Sequence, residues 1–585
     1  MVRVLPDVAG IDRSFDYLVP SELEDRVSVG ARVRVVLHGR RVGGWVVADG
    51  VTPPDGVALR PITMVSGLGP AADVVELAGW AAWRWAGRTG AFLSTASPPR
   101  AVRELPEPGQ PAREAGPRTS DGLEAGVTAE AMSHPRSVVR VPPAVDPFPL
   151  VEAVAATCSG RAGALVVVPS QDWAGRTAER LGRRGHAVAL LPAGWADAAA
   201  GGRVVVGTRS AAWAPVPELS AAVVLDAHDE AHGEERAPTW NAWVAVAERA
   251  ARRSAPCLLV SPCPTLEVLA WGRLVTVSRH ADRQGWAPLE VVDRRKEDPR
   301  SGLFSERLVA TVRKAGATPA DRVLCVLNRT GRGRLLACVA CGELARCERC
   351  EGPLAQTDAS DTLRCRRCGQ ERPSVCAVCG SQRWRVLRPG VARVREELEA
   401  LAGLPVGEVS SQTADDAGID APVVVGTEAV LHRVRGVGTV VFLDFDQELL
   451  APRYRAGEQA LALLARASRV VGGRTGRGRI LVQTRLPGNE VIDAALHADP
   501  GRLVAVDAGR RRGLGLPPAT ALALVSGPSA GPYIEGLGAQ PVDVLGPDSG
   551  RWLVRAPDHR VLCDALAAVP RPPGRLRIEV DPLRA

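Results

Sequence analysis

The sequence predicts a multidomain α/β protein with a β-rich N-terminal domain, two parallel-sheet lobes, a cysteine-rich insertion in the second lobe and a C-terminal α+β domain. Three patterns carry that expectation. Strand-like apolar runs separated by helix-like segments occur in two successive sets, eight cysteines fall into four C-x-x-C pairs, and short β-like runs parted by Gly turns precede both.

At 585 residues one hydrophobic core does not suffice, and roughly three to five domains are expected. Residues 1–96 alternate in β-like runs such as Arg32-Val-Arg-Val-Val and Trp45-Val-Val, with a helical segment rich in Ala and Trp over 72–87. Residues 97–137, rich in Pro, Gly, Glu and Ala with no apolar period, read as a linker. The first lobe, 138–300, carries strand-like runs at Ala164–Val168, Arg203–Val206, Ala221–Leu225 and Pro256–Val260. The second starts at 301–337 and resumes over 381–500, with runs at Arg322–Leu327, Pro422–Val425, Thr439–Leu443 and Arg479–Gln483. Such runs suit strands covered by helices on both faces. The cysteine-rich region, 338–380, interrupts the second set, and 501–585 forms the C-terminal α+β domain.

The formal net charge is +8 and the sequence pI about 9.0. Nearly all of the 73 Lys and Arg are Arg, whose planar donor fork fits phosphate oxygens and stacks on bases. A GC-rich genome produces the same bias, so charge alone is weak support for a nucleic-acid partner. No stretch reaches the ~20 apolar residues of a membrane span, and the first residues lack the apolar core of a secretory signal, so a cytoplasmic protein is expected. Reduced thiols in that compartment make the thirteen Cys a question about metal rather than disulfides.

The four knuckles are Cys338/Cys341, Cys347/Cys350, Cys365/Cys368 and Cys376/Cys379. Each places two thiolates on one side of a tight turn, and two knuckles complete a tetrahedral S4 site for zinc. Four knuckles imply two closed structural sites, whose binding energy folds a segment with little apolar core of its own. Redox or disulfide cysteines are one alternative, but such sites use one C-x-x-C, not four; an iron–sulfur cluster is another, but four evenly paired knuckles favour zinc ribbons. Cys158, Cys257, Cys263, Cys325 and Cys563 lie in apolar or small-residue settings and are expected to be buried. Arg346, Arg349, Arg364, Arg366, Arg367 and Arg372 lie among the knuckles, either as a nucleic-acid contact or as a solvated face.

The knuckles follow Val323-Leu-Cys-Val-Leu-Asn-Arg-Thr-Gly-Arg-Gly and end in Cys376-Ala-Val-Cys-Gly-Ser. That block resembles the cysteine-rich region of the PriA (primosomal protein N′) family of replication restart proteins. Ser14-Phe-Asp-Tyr-Leu-Val-Pro resembles the family's pocket for a DNA 3′ end, Val206-Gly-Thr-Arg-Ser-Ala its "GTRSA" motif, and Leu516-Pro-Pro-Ala with Asp581-Pro-Leu its C-terminal domain. The likeness spans nearly the whole chain except 97–137, where the family carries a winged helix that is reduced or absent here. It implies an N-terminal β-rich DNA-binding domain, two RecA-like helicase lobes and an inserted zinc-ribbon region. It also implies nested zinc sites, two ions per chain: Cys338, Cys341, Cys376 and Cys379 for one, and Cys347, Cys350, Cys365 and Cys368 for the other. The 3′-end contacts would fall on Phe15, Asp16, Gly39 and Arg60. An Asp there can accept the terminal hydroxyl, and a ring can pack beside the last base, although Phe15 is equally well a core residue.

The lobes look degenerate. A P-loop (Walker A) needs amides that cradle phosphate, a Lys, and a Ser or Thr for magnesium. The corresponding stretch, Val139-Arg-Val-Pro-Pro-Ala-Val-Asp-Pro-Phe-Pro, has no Gly or Lys and puts Asp146 about where the Lys belongs. Proline has no amide to donate, and Asp repels phosphate. Asp229-Glu-Ala-His232 spells a helicase magnesium motif, but one turn beyond the strand end at Asp226, so it reads as a chance match or a solvated acidic loop. Ser261-Pro-Cys-Pro-Thr replaces the family's "SATPS", and Arg469-Val-Val-Gly-Gly-Arg scrambles "AGRAGR", leaving the arginine-finger positions apolar or Gly.

The expectation is a replication restart protein without helicase activity, nucleoid-associated, with no catalytic and no nucleotide-binding residues. It would bind stalled or abandoned forks, 3′ ends and single strands, and would gather primosome proteins that reload the replicative helicase with its loader. The rivals are an active ATP-dependent 3′–5′ DNA helicase and an adaptor that binds only primosome proteins.

Overall fold

The computed structural model describes residues 1–583 except 9, 53–57, 111–122, 298–301, 317, 328–335, 357–361, 366–367, 387–390 and 410–417. Arg366, Arg367, 328–333 of the stretch leading into the knuckles, and the middle of the expected linker therefore lie outside the described residues.

The N-terminal domain is an antiparallel sheet of β1 (Val2–Pro6), β2 (Phe15–Tyr17), β3 (Arg32–Leu37), β4 (Arg40–Asp49) and β5 (Met64–Gly67), in the order β2-β1-β4-β3-β5. Strand alternation sends Val2, Val4, Tyr17, Val33, Val35 and Val46 to one face, where they form a small core. Leu5 and Trp45 point the other way, under the helices Ala72–Arg84 and Thr89–Ala96.

The first lobe is a seven-stranded parallel sheet of β6 (Arg136–Arg140), β7 (Ala162–Val167), β8 (Val188–Leu190), β9 (Val204–Gly207) and β10 (Glu218–Leu225), completed by β13 (Cys257–Ser261) and β14 (Arg273–Thr276). The order is β14-β6-β13-β10-β7-β9-β8; a small hairpin of β11 (Gly233–Glu234) and β12 (Trp240–Asn241) stands apart. Two end regions depart from the sequence expectation. Ala125–Met132, inside the expected linker, is a helix whose Val127 and Ala131 pack under this sheet, and β6 begins at Arg136.

The second lobe is a six-stranded parallel sheet, and its edge strand β15 (Leu289–Asp293) falls where the first lobe was expected. Its apolar residues look like any edge strand of either lobe; pairing with residues 480–484 assigns it to the second. β16 (Val323–Val326) follows. Then comes the insertion, with β17 (Leu336–Cys338), β18 (Leu354–Gln356), β19 (Thr362–Cys365), β20 (Glu371–Pro373) and β21 (Trp384–Val386). β22 (Val406–Val409), β23 (Val423–Gly426), β24 (Thr439–Phe442) and β25 (Arg479–Thr484) complete the order β15-β25-β24-β16-β23-β22.

The C-terminal sheet holds β26 (Ala521–Ser526), β27 (Asp543–Asp548), β28 (Arg551–Ala556) and β29 (Arg577–Val580), in the order β27-β28-β26-β29. The helix Gly501–Leu514, expected with this domain, buries Leu503 in the second-lobe core instead. One continuous core joins the N-terminal helices, one face of the first-lobe sheet and the C-terminal sheet. A row of tilted and edge-to-face rings, Trp85, Phe92, Trp213 and Trp240, runs through it at centroid spacings of 6.1, 5.2 and 5.4 Å. Asp581 of the Asp-Pro-Leu tail receives Arg84 at 2.6 Å and His559 at 2.7 Å, pinning the two ends of the chain together.

Candidate functional site

A nucleotide in a two-lobed parallel α/β protein rests on the loop between the first strand and its helix, where free amides and the helix dipole meet phosphate. Here that loop joins β6 to the helix Phe148–Ala155. Of residues 141–149, four are prolines with no N–H. The amide of Val141 is donated to Ser261 O (3.3 Å), that of Ala144 to Gly285 O (3.1 Å) and that of Val145 to Pro142 O (3.0 Å). The Asp146 carboxylate stands at the start of that helix: it accepts from the Phe148 amide at 3.0 Å, and its other oxygen lies 2.5 Å from Arg180 Nη2. Arg180 also stacks 3.8 Å over the Phe148 ring. The amides of Val141, Ala144, Val145 and Phe148 and the Asp146 carboxylate thus all have partners within the protein.

The second lobe closes on the same loop. From its helix Ala456–Val471, Arg469 forms a two-pronged pair with Asp226 (2.6 and 2.9 Å) and donates to Pro143 O at 3.0 Å. Arg466 reaches Asp229 at 2.7 Å and Glu428 at 2.9 Å. Beyond the helix, Arg474 N donates to Gln284 O (2.8 Å), and a Cβ on Gly473 would stand 3.0 Å from that of Ala144. Burial pushes the Asp226 carboxyl up, but the charge and hydrogen bonds of Arg469, with His228 and Arg466 adding to them, hold it well below the usual carboxylate range.

Two sequence expectations change here. The segment Asp229–His232 is not a solvated acidic loop. Asp229 caps a single helical turn by accepting from Ala231 N at 2.9 Å and is ion-paired with Arg466, while fully buried His232 hydrogen-bonds Leu225 O through Nε2 at 2.9 Å. In and beside the stretch read as a scrambled arginine-finger motif, Arg466 and Arg469, one helical turn apart, face the first lobe and meet two acids that are also three residues apart. That matched i,i+3 spacing was visible in the sequence, but not which lobe surface it would meet. Ser261, in the altered third motif, lies 2.8 Å from His228 Nδ1 and ties β13 to the end of β10.

The eight knuckle cysteines gather as two groups, Cys338/Cys341/Cys376/Cys379 and Cys347/Cys350/Cys365/Cys368, with all four sulfurs of each group within 4.8 Å of one another. Cross-knuckle sulfurs stand 3.5 to 3.6 Å apart. A tetrahedron with metal–sulfur bonds of about 2.3 Å has edges of roughly 3.8 Å, so both groups can hold a metal ion. Each knuckle closes with an amide returning to its first cysteine's carbonyl, as from Gly342 to Cys338 O (3.0 Å) and from Gly380 to Cys376 O (2.9 Å). The residue after each second cysteine is left-handed: Gly342 (φ 76°), Glu351 (58°), Gly369 (75°) and Gly380 (72°). Glycine at three of those four positions removes the Cβ clash that this turn imposes. The first group is nested around the second, since β17 pairs with β21 outside the β18–β20 sheet. Among the basic residues of the region, Arg346 pairs with Glu351 (2.9 Å) and Arg364 approaches Glu371 (3.9 Å). Of the remaining cysteines, Cys257, Cys263, Cys325 and Cys563 are buried as expected, whereas Cys158 is only half-buried; burial pushes the Cys257 and Cys325 thiols up to about 12, which suits inert core positions.

The four N-terminal candidates come from three segments. Phe15 and Asp16 are neighbours on β2 and so project to opposite faces. Phe15 packs half-buried against the domain core with Arg13 4.7 Å over its ring, while Asp16 receives a two-pronged hydrogen bond from Arg3 (2.8 and 3.1 Å). Gly39 sits at the β3–β4 turn with φ 78°, and Arg60 accepts a backbone hydrogen bond from Leu18 N (3.0 Å) just before β5. Tyr17 links these segments, its hydroxyl donating to Val36 O at 3.4 Å. Arg3, which orients Asp16, escaped the sequence reading; its only signal was the antiparallel register, which requires knowledge of the pairing.

No helix among the described residues is long and apolar enough to cross a membrane. Residues 3–98 match the PriA family's "3'DNA-binding domain (3'BD)". A "Probable replication restart protein PriA" of Mycobacterium leprae (strain TN) is 30% identical over 574 residues, covering 89% of this chain and 86% of that one. The protein of the same name from Mycobacterium tuberculosis (strain ATCC 25618 / H37Rv) is 30% identical over 617 residues, covering 97% and 90%. The "Replication restart protein PriA" of Bacillus subtilis (strain 168) is 27% identical over 347 residues, or 55% of this chain and 43% of that one. Aligned nearly end to end with such relatives, and carrying their DNA-binding module at its N-terminus, this chain belongs to the PriA family of replication restart proteins.

Proposed function

We propose that this protein is a replication restart scaffold that binds branched DNA and does not hydrolyse ATP in the cleft between its lobes. One observation carries the reading. The loop that would cradle a triphosphate has four prolines, spends its amides internally and holds the Asp146 carboxylate at the helix N-terminus. Arg469 and Arg466 join the lobes through Asp226 and Asp229, doing with ion pairs what a bound nucleotide does in a working helicase.

In this reading Asp16, oriented by Arg3, accepts the 3′-hydroxyl of a nascent strand, and Gly39 and Arg60 flank the terminal nucleotide. The two cysteine groups hold zinc, which supplies structural cross-links rather than chemistry. Each group offers four sulfur ligands and leaves no open position. The ordered knuckles then present a surface to DNA or to the primosome proteins that reload the replicative helicase.

The test pairs two measurements on the full chain. Binding to a fork with a leading-strand 3′-hydroxyl is expected to exceed binding to linear duplex, and single-turnover incubation with ATP, magnesium and fork DNA is expected to release no phosphate. Equal affinity for fork and linear duplex would overturn the recognition role, and DNA-stimulated hydrolysis would overturn the scaffold role.

A further inference from the structure

Most buried or half-buried arginines of the lobes have a carboxylate or carbonyl partner. The β3–β4 hairpin differs. No acid occurs between Asp25 and Asp49, whereas the same stretch carries Arg32, Arg34, Arg40, Arg41 and His38. Among the described residues Arg34, Arg40 and Arg41 make no ion pair and no side-chain hydrogen bond, and all three are exposed. Like charges on paired strands repel, so this hairpin tolerates an unfavourable arrangement in isolation.

The register gives the cluster a direction. Arg34 pairs with Gly43, Val36 with Arg41 and Leu37 with Arg40. Val33 and Val35 point into the core, so Arg34 and Arg41 share the outer face on a diagonal of about 7–8 Å. Phosphates rise about 3.4 Å apart along a strand, so that diagonal covers about two of them. Gly43, between them on the same face, has open space where a Cβ would stand, letting a backbone approach closely. Arg40 follows Gly39 at the tip.

From this we infer that the β3–β4 hairpin is a phosphate-tracking ribbon. Arg34, Arg40 and Arg41 grip the sugar–phosphate backbone of DNA, next to the terminal nucleotide that the pocket around Asp16 and Gly39 receives. Its place beside a 3′ end rests on the function proposed above; the phosphate contact itself does not. The contacts carry no sequence information and act through charge and counterion release.

The test is the salt dependence of binding, measured on both a 3′-hydroxyl fork and a linear duplex, for wild type and an Arg34→Ala/Arg40→Ala/Arg41→Ala variant. Each lost phosphate contact reduces the slope of log K against log[salt] by about 0.7–0.9, so the triple variant should lose about 2–3 slope units and bind on the order of 100-fold more weakly at 0.1 M salt. The corresponding Lys variant should keep most of the slope, and Arg41→Glu alone should weaken binding further than Arg41→Ala, which covers the case of a poorly folded triple variant. Loss of slope on duplex with no fork preference in the wild type would retain the ribbon and sink the fork reading. Unchanged slopes in a variant of normal thermal stability, or a wild type that binds no DNA, would overturn the ribbon.

Discussion

Replacing Arg469 by Ala tests the interlobe clamp most directly. The variant removes a guanidinium that is two-thirds buried and leaves Asp226, whose side chain is 8% exposed, without its main partner. Breaking a buried pair from one side costs about 3–5 kcal/mol, and the partial exposure of Arg469 places this case near about 3 kcal/mol. A protein of several domains has no single unfolding free energy, so the readout must be local. Amide exchange in peptides covering 141–149 and 226–232 should quicken by roughly two orders of magnitude at pH 8, the equivalent of about 3 kcal/mol at 1.4 kcal/mol per tenfold. The pH dependence has a definite sign. In the wild type Asp226 is held below the usual range, so its stabilising effect is complete above the ordinary carboxylate pKa and is lost only in strong acid. Without Arg469 burial is opposed only by the lesser pull of His228 and Arg466, so that pKa rises, protonation relieves the variant as pH falls, and its deficit should shrink between pH 8 and pH 5. The Asp226→Asn/Arg469→Ala double variant should recover part of the loss at pH 8. Unchanged exchange in those peptides, or a deficit that grows on acidification, would refute the clamp.

Other outcomes follow from the same geometry. Cys350→Ser, in the inner cysteine group, should lower bound zinc from about two ions per chain to about one by elemental analysis. The outer group should persist, because it closes through different residues. Prolonged chelation should unfold the 336–386 region, read as loss of amide protection there while β7, β10 and β24 stay protected. Asp16→Ala should erase discrimination between 3′-hydroxyl and 3′-phosphate ends on a fork by more than tenfold, and leave affinity for blunt duplex within about threefold, since phosphate contacts lie elsewhere. Calorimetric titration with ATP and magnesium should give no binding heat, even in Arg469→Ala, because opening the clamp restores no amides to the proline-rich loop.

Much of the architecture lies in local pattern. The strand runs named for both lobes fall within three residues of the observed strands, because buried parallel strands demand short unbroken apolar stretches whatever their partners. The four knuckles and the proline-rich loop after β6 are equally local, since C-x-x-C spacing and a run of prolines each constrain a single turn. What pairs with what is not local. The assignment of Leu289–Asp293 to the second sheet, the docking of Ala125–Met132 under the first, and the Arg3–Asp16 pair all depend on surfaces that meet only after folding. The clamp is the extreme case: Arg469 and Asp226 are 243 residues apart, and each alone looks like an ordinary solvated charge. The chain's own letters therefore set most of the lobe strands and the proline-rich, glycine-free stretch after the first strand. Only the packed lobes reveal that Arg466 and Arg469 bridge to Asp229 and Asp226, because charge pairing at a distance is decided by three-dimensional proximity and burial, which no linear spacing encodes.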